Sequence, residues 1–133
     1  MRKIVVALFA VVVIAVLAGL AFLSYQSHPP TVTVEMRLGE GTVDYGGSQV
    51  PNYLFSPAMI TIKQGTTVTW INKDPNASHT ITTNEMSAAG TPTDMGTVSP
   101  NGQWSYTFNV GPGTYHYYCR DHPWMSGIVI VTS

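Results

Sequence analysis

The stretch TYHYYCRDHPWM, residues 114–125, contains the only cysteine of the chain, Cys119, with His122 three positions on and Met125 three further. A thiol, an imidazole and a thioether within seven residues are three soft or borderline donors, a combination that packing seldom requires. Taken singly, each has an ordinary explanation: a lone cysteine is usually a small core residue, and a methionine usually packs. The C-x2-H-x2-M spacing shifts that balance toward a metal. What the set lacks is a second imidazole, and His79, forty residues before Cys119, is the candidate. Two imidazoles, a thiolate and a weak, distant thioether form the donor set of blue-copper electron-transfer sites. The thiolate and thioether suit Cu(I) and the imidazoles suit Cu(II). A rigid frame that holds the compromise lets one electron move with little rearrangement of the ligands.

That frame is written with period two. In TVTVEMRL, Val32, Val34, Met36 and Leu38 share one face; in MITIK, Ile60 and Ile62 do, and in TTVTWIN, Val68 and Trp70. SHTITT sets His79 beside Ile81, and QWSYTF aligns Trp104, Tyr106 and Phe108. The same alternation puts Tyr115, Tyr117 and Cys119 inward, with His116 and Tyr118 on the opposite face. GIVIV is a continuous apolar run, as expected of a strand covered on both sides. Half-buried strands between Gly, Pro and Asn turns predict an all-β, antiparallel Greek-key β-sandwich of about seven strands. Residues 39–54 read equally as a strand or a long loop, and Asn84–Gly96 as a surface loop. The chain leaves Cys119 near a strand end and turns through RDHPWMSG, so a compact loop carries His122 and Met125 back over the sulfur at one pole.

The N-terminus is of another kind. Ile4 to Leu23 is a run of 20 residues without a charge. As a helix it would span ~30 Å, the thickness of a bilayer core. Arg2 and Lys3 precede it, which leaves the N-terminus cytoplasmic and carries the remainder outside. Residues 1–24 therefore read as a membrane anchor or a cleaved signal sequence, residues 25–31 as a proline-stiffened tether, and residues 32–133 as one domain. Either way the domain lies extracytoplasmically, on the periplasmic or cell-surface side. There an unpaired thiol needs burial or a metal. After residue 30 the chain has four basic and seven acidic side chains. So sparse and mildly acidic a surface argues against nucleic acid as a partner, since phosphate binding needs a basic face.

From Tyr53 to Thr132 the chain resembles the cupredoxins, within them the plastocyanin, amicyanin and pseudoazurin group. The likeness rests on FSPAMITIKQGTTVTWINKD, with its F-x-P, Gly turn and V-T-W-x-N, on SHT at His79, and on GTYHYYC leading into CRDHPWM. It implies one type 1 copper ion held by His79, Cys119, His122 and Met125. The implied role is a monomeric electron carrier between a redox donor and acceptor, membrane-bound complexes in view of the anchor. Two positions depart from the family pattern. Thr80 stands where an asparagine commonly ties the ligand loops together, so a looser hydroxyl brace is expected. Asp121 stands where proline is common; its N–H either adds a hydrogen bond to the Cys119 sulfur, or the residue is a solvent-facing carboxylate. Trp124 resembles the large apolar residue beside the exposed histidine, offering contact area to a partner or simply capping the loop.

Other functions fare worse. Copper storage or delivery is the alternative, but only Met86 and Met95 share a loop, too few for a methionine-rich tract. A cysteine hydrolase needs an exposed nucleophile, and multicopper enzymes need more than the four histidines present. Zinc accepts the thiolate and imidazoles, but methionine is an unusual zinc ligand. The NAS sequon at Asn76–Ser78 is read as unused. His116 is read as a surface residue, and His28 as part of the tether.

Overall fold

A computed structural model describes residues 29–85 and 93–133. Among the described residues the chain forms nine strands and no helix: β1 (Thr31–Tyr45), β2 (Ser48–Ser56), β3 (Met59–Lys63), β4 (Thr67–Asn72), β5 (His79–Thr83), β6 (Thr93–Val98), β7 (Gln103–Thr107), β8 (Gly113–Tyr118) and β9 (Ser126–Thr132). They make two sheets, ordered β2-β1-β4-β7 and β3-β9-β8-β5-β6. Alternation puts Val34, Met36, Val68 and Trp70 of the first sheet against Ile60, Ile62, Ile81 and Val129 of the second, all buried. Each large apolar side chain taken fully from water contributes about 1.5–3 kcal/mol, so this interlayer core supplies the rigidity that the pole requires.

Three expectations are corrected. The sandwich is mixed rather than purely antiparallel, because β1 runs parallel to β4 and β3 parallel to β9. The chain crosses between sheets at these points, and alternation encodes which face is buried but not which way a partner strand runs. Secondly, residues 39–54 are neither a lone strand nor a loop. They form the end of β1, the turn and most of β2, a hairpin that folds back at Gly46–Gly47. Both glycines have positive φ, 63° and 81°, as a two-residue turn matched to strand twist requires. Thirdly, GIVIV buries only Gly127, Val129 and Val131, while Ile128 and Ile130 are half-buried on the outer face. The strand count exceeds seven because of β2 and of β6 (Thr93–Val98), which begins inside the expected surface loop and runs two residues past it.

The predicted N-terminal helix, the anchor at 1–24 and most of the tether lie outside the described residues, as does His28. Among the described residues no helix is long and apolar enough to cross a membrane.

Candidate metal centre

The three polar donors meet at one pole. His79 opens β5 and is fully buried. It is delivered by the β4–β5 crossover, residues 73–78, which Asn72 holds in shape. The Asn72 side-chain amide donates to the carbonyls of Ala77 (2.8 Å) and Val98 (3.1 Å), while its Oδ1 accepts the Asp74 N–H (2.9 Å). Cys119 follows the last residue of β8, inward-facing and fully buried. His122 and Met125 lie in the turn before β9, which closes on its own backbone: Cys119 N–H to Met125 O (2.9 Å), His122 N–H to Cys119 O (3.2 Å) and Met125 N–H to His122 O (2.8 Å). The loop is thus shaped by hydrogen bonds within the chain.

Cys119 Sγ lies 3.8 Å from His79 Nδ1 and 3.5 Å from His122 Nδ1, and the three donor atoms fall within 4.8 Å of one another. An ion holding sulfur at ~2.3 Å and nitrogen at ~2.0–2.1 Å, at angles between tetrahedral and trigonal, has S···N edges of roughly 3.5–3.8 Å. The observed separations fit that requirement. Met125 is buried in the same loop.

Both imidazoles are harder to protonate here than in a free histidine. Burial pushes the His79 imidazole below its ordinary range; a charge on His122 would push it further, against the opposing pull of Asp74 and Asp121. Burial likewise lowers His122, opposed by Asp121 and Asp74. Both rings therefore stay neutral, each with a lone pair to offer, at pH values where a free histidine begins to protonate.

The sulfur accepts the backbone N–H of Thr80 at 3.3 Å. The proposed donor Asp121 makes no such bond; its carboxylate is exposed, 3.9 Å from the Arg120 guanidinium. Residue order identifies the position after Arg120 but not where the turn aims its amide. The hydroxyl brace at Thr80 is present, and its proton directions can be assigned. Asp94 can only accept, so the Thr82 hydroxyl donates to Asp94 Oδ1 (2.7 Å). Thr82 Oγ1 must then accept from the Thr80 hydroxyl at 2.9 Å. Thr80 Oγ1 in turn accepts the Arg120 N–H at 2.8 Å, joining the two ligand segments. With its proton committed, the Thr80 hydroxyl at 3.9 Å is a contact to sulfur rather than a bond to it. An Arg120–Asp94 ion pair closes the chain at the surface.

Two contributors were not singled out by sequence. Tyr53 of β2 packs its ring against both imidazoles, with centroids 5.0 Å from His79 and 4.4 Å from His122. Its signal was its inward parity with Phe55, two residues on. Asp74 is almost wholly buried beside His79, and nothing in NKDPNAS distinguishes it from a solvated turn residue. Trp124 is half-buried, 5.5 Å from the His122 ring and 5.1 Å from Tyr45, and donates its indole N–H to Pro51 O at 3.0 Å. It is fastened to the β1–β2 hairpin. His116 is exposed and paired with Glu85.

Two sheets packed face to face, with a buried Cys and two His at one pole, define a cupredoxin-like copper protein. Residues 42–132 match the family described as copper binding proteins, plastocyanin/azurin family, and the chain belongs to it. Its cofactor is copper, in a type 1 centre. Solved structures similar in fold include amicyanins. A reduced Cu(I) form of one amicyanin variant at pH 4 is 22% identical, with TM-score 0.58 over 81% of this chain and 88% of that one. A second reduced variant is 24% identical, with TM-score 0.57 over 77% and 82%. Comparison with curated proteins gave no match.

Proposed function

We propose that the chain is a membrane-tethered type 1 copper protein that passes single electrons between larger redox partners and is not an enzyme. His79, Cys119 and His122 would hold the ion through their nitrogens and thiolate, and Met125 would add the weaker thioether donor. Copper, when bound, supplies the one-electron couple Cu(II)/Cu(I). The chain's own work is to hold the donors fixed. The loop bonds, the Thr80 brace and the packing of Tyr53 oppose any reshaping of the site between the two charge states. His122 is the ring that reaches the surface, so an electron enters and leaves over its edge, while His79 and Cys119 are sealed from water. A fully buried Cys119 cannot attack a substrate, which argues against hydrolysis. The apolar run Ile4–Leu23 supports the tether, which would hold the domain near membrane-bound donors and acceptors at high effective concentration. The full chain should then need detergent for extraction, and a chain beginning at residue 29 should not.

The observation that carries this reading is the convergence of His79 Nδ1 and His122 Nδ1 on Cys119 Sγ at ligand–ligand distances. Its test is the absorption spectrum of the copper-loaded, oxidised domain. An intense visible thiolate-to-copper band that vanishes in Cys119→Ser is expected; a colourless wild type that still binds copper would point to storage or delivery.

A further inference from the structure

Asp74 is 5% exposed, and only half of its carboxylate is accounted for. Oδ1 accepts the backbone N–H groups of Asn76 (2.8 Å) and Ala77 (3.2 Å), which caps the turn leading to His79. Oδ2 has no hydrogen-bond partner. It faces His79 Nε2, itself fully buried and also unpartnered, at 3.5 Å. Capping needs one acceptor, which a serine or asparagine would also provide. A buried anion with a spare oxygen is costly unless a charge or donor answers it, and the imidazole lies within reach of that oxygen.

We propose that Asp74 is a positioning residue for the copper centre: it holds His79 with its proton on Nε2, leaving the Nδ1 lone pair free for the metal, and biases the centre toward Cu(II). This rests on the reading of His79 as a ligand. The two effects have separate origins. A neutral imidazole carries one proton, and an acceptor-only carboxylate beside Nε2 draws it there. That frees Nδ1, the nitrogen that already leans toward Cys119 Sγ. Once the ring is bound, the carboxylate makes it a more basic ligand and places a negative charge near the ion. Both effects stabilise the more highly charged oxidation state more strongly.

Asp74→Asn is the informative substitution. Its carbonyl can still cap the turn, but the spare position becomes an N–H donor facing Nε2, so the ring proton should move to Nδ1 and compete with copper. Asp74→Ser keeps a capping acceptor and offers Nε2 nothing. Nitrogen-15 NMR of the copper-free protein in mildly alkaline buffer reports the His79 tautomer directly. Nε2–H is expected in the wild type and Nδ1–H in Asp74→Asn. In the loaded protein, both variants should keep the visible band but bind Cu(II) more weakly relative to Cu(I), Asp74→Asn by about tenfold. That is a rise in potential of ~59 mV for a one-electron couple. Wild-type potentials in both variants, with the Nε2–H tautomer retained in Asp74→Asn, would reduce Asp74 to a turn cap. Should the wild type itself show no visible band, the copper-ligand reading falls instead, and the copper-free tautomer still decides what Asp74 does to His79.

Discussion

The Thr80 hydroxyl is one of the ties between the segment carrying His79 and the segment carrying Cys119. It accepts the Arg120 N–H and donates to Thr82, so Thr80→Val, nearly the same shape, strands one partner and weakens the other. The expected cost is about 1–3 kcal/mol, read as a lower urea midpoint of the copper-free domain, with Thr80→Ser close to wild type. The visible band should survive in Thr80→Val, because the bond to sulfur comes from the backbone N–H. A band lost together with the hydroxyl would mean that the proton directions assigned to this network are wrong. At this scale the sequence was legible where parity alone decides: the inward faces of His79 and Cys119 follow from alternation, and so does the outward face of His116. It was not legible where the answer depends on the path of a turn. Asp121 sits in a loop whose amides point where the backbone bonds of residues 119–125 aim them. Asp74 is buried by a crossover that no local pattern announces.

Strands β8 and β9 meet where Tyr117 lies opposite Gly127. A Cβ on Gly127 would come within 2.4 Å of the Tyr117 ring, so a glycine lets the ring lie flat on the neighbouring strand. The ring packs edge-on against Phe55 and Trp70, with centroids at 4.7 and 5.6 Å. Its hydroxyl completes no hydrogen bond. Burial pushes the phenol up to about 12, opposed by the nearby Trp70 indole. In the unfolded chain the same phenol ionises near ~10. Below that value both states keep the proton and Tyr117 adds no pH dependence. As the pH rises through 10 toward 12 the unfolded state releases its proton first, and stability falls. Tyr117→Phe removes this contribution and an unpartnered buried hydroxyl together. The variant should match or exceed the wild type near neutrality and lose less stability between pH 10 and 12, as measured by denaturant unfolding. An equal alkaline loss in both proteins would show that Tyr117 is not the group responsible. Alternation made Tyr117 legible as a core residue. The β1–β2 hairpin escaped because GEGTVDYGGSQV is largely exposed on both faces and carries little periodic contrast; its one clear mark was the paired glycine.

Across the whole molecule, the pole draws on both sheets. Cys119, His122 and Met125 come from the β8–β9 corner and His79 from β5, both in the five-stranded sheet. Tyr53 covers them from β2, and Asp74 arrives on the crossover from β4, both from the four-stranded sheet. Away from the pole the interlayer core is apolar, with Val34, Met36, Val68, Trp70, Ile81 and Val129 buried in one cluster, and its burial should not depend on the ion. The ligand loop closes on backbone bonds of its own. This differs from small zinc domains, in which metal binding and folding are one event. The weak seam is local: β5 and β8 register a single residue pair, Thr82 with Tyr118. Beyond it, the Thr80 bonds to Cys119 and Arg120 hold the two segments together. Removing copper should therefore leave a folded domain with unchanged sheet circular dichroism and a cooperative but lower thermal transition. The difference should grow with free copper as binding to the native state alone requires. Amide exchange should accelerate at Thr80 and Arg120, on either side of the seam, and stay near its loaded value at Val34 and Trp70 in the opposite sheet. Exchange that rises evenly through both sheets on copper removal would mean that the metal organises the whole core, and the frame could not then be the rigid scaffold on which low-rearrangement electron transfer depends.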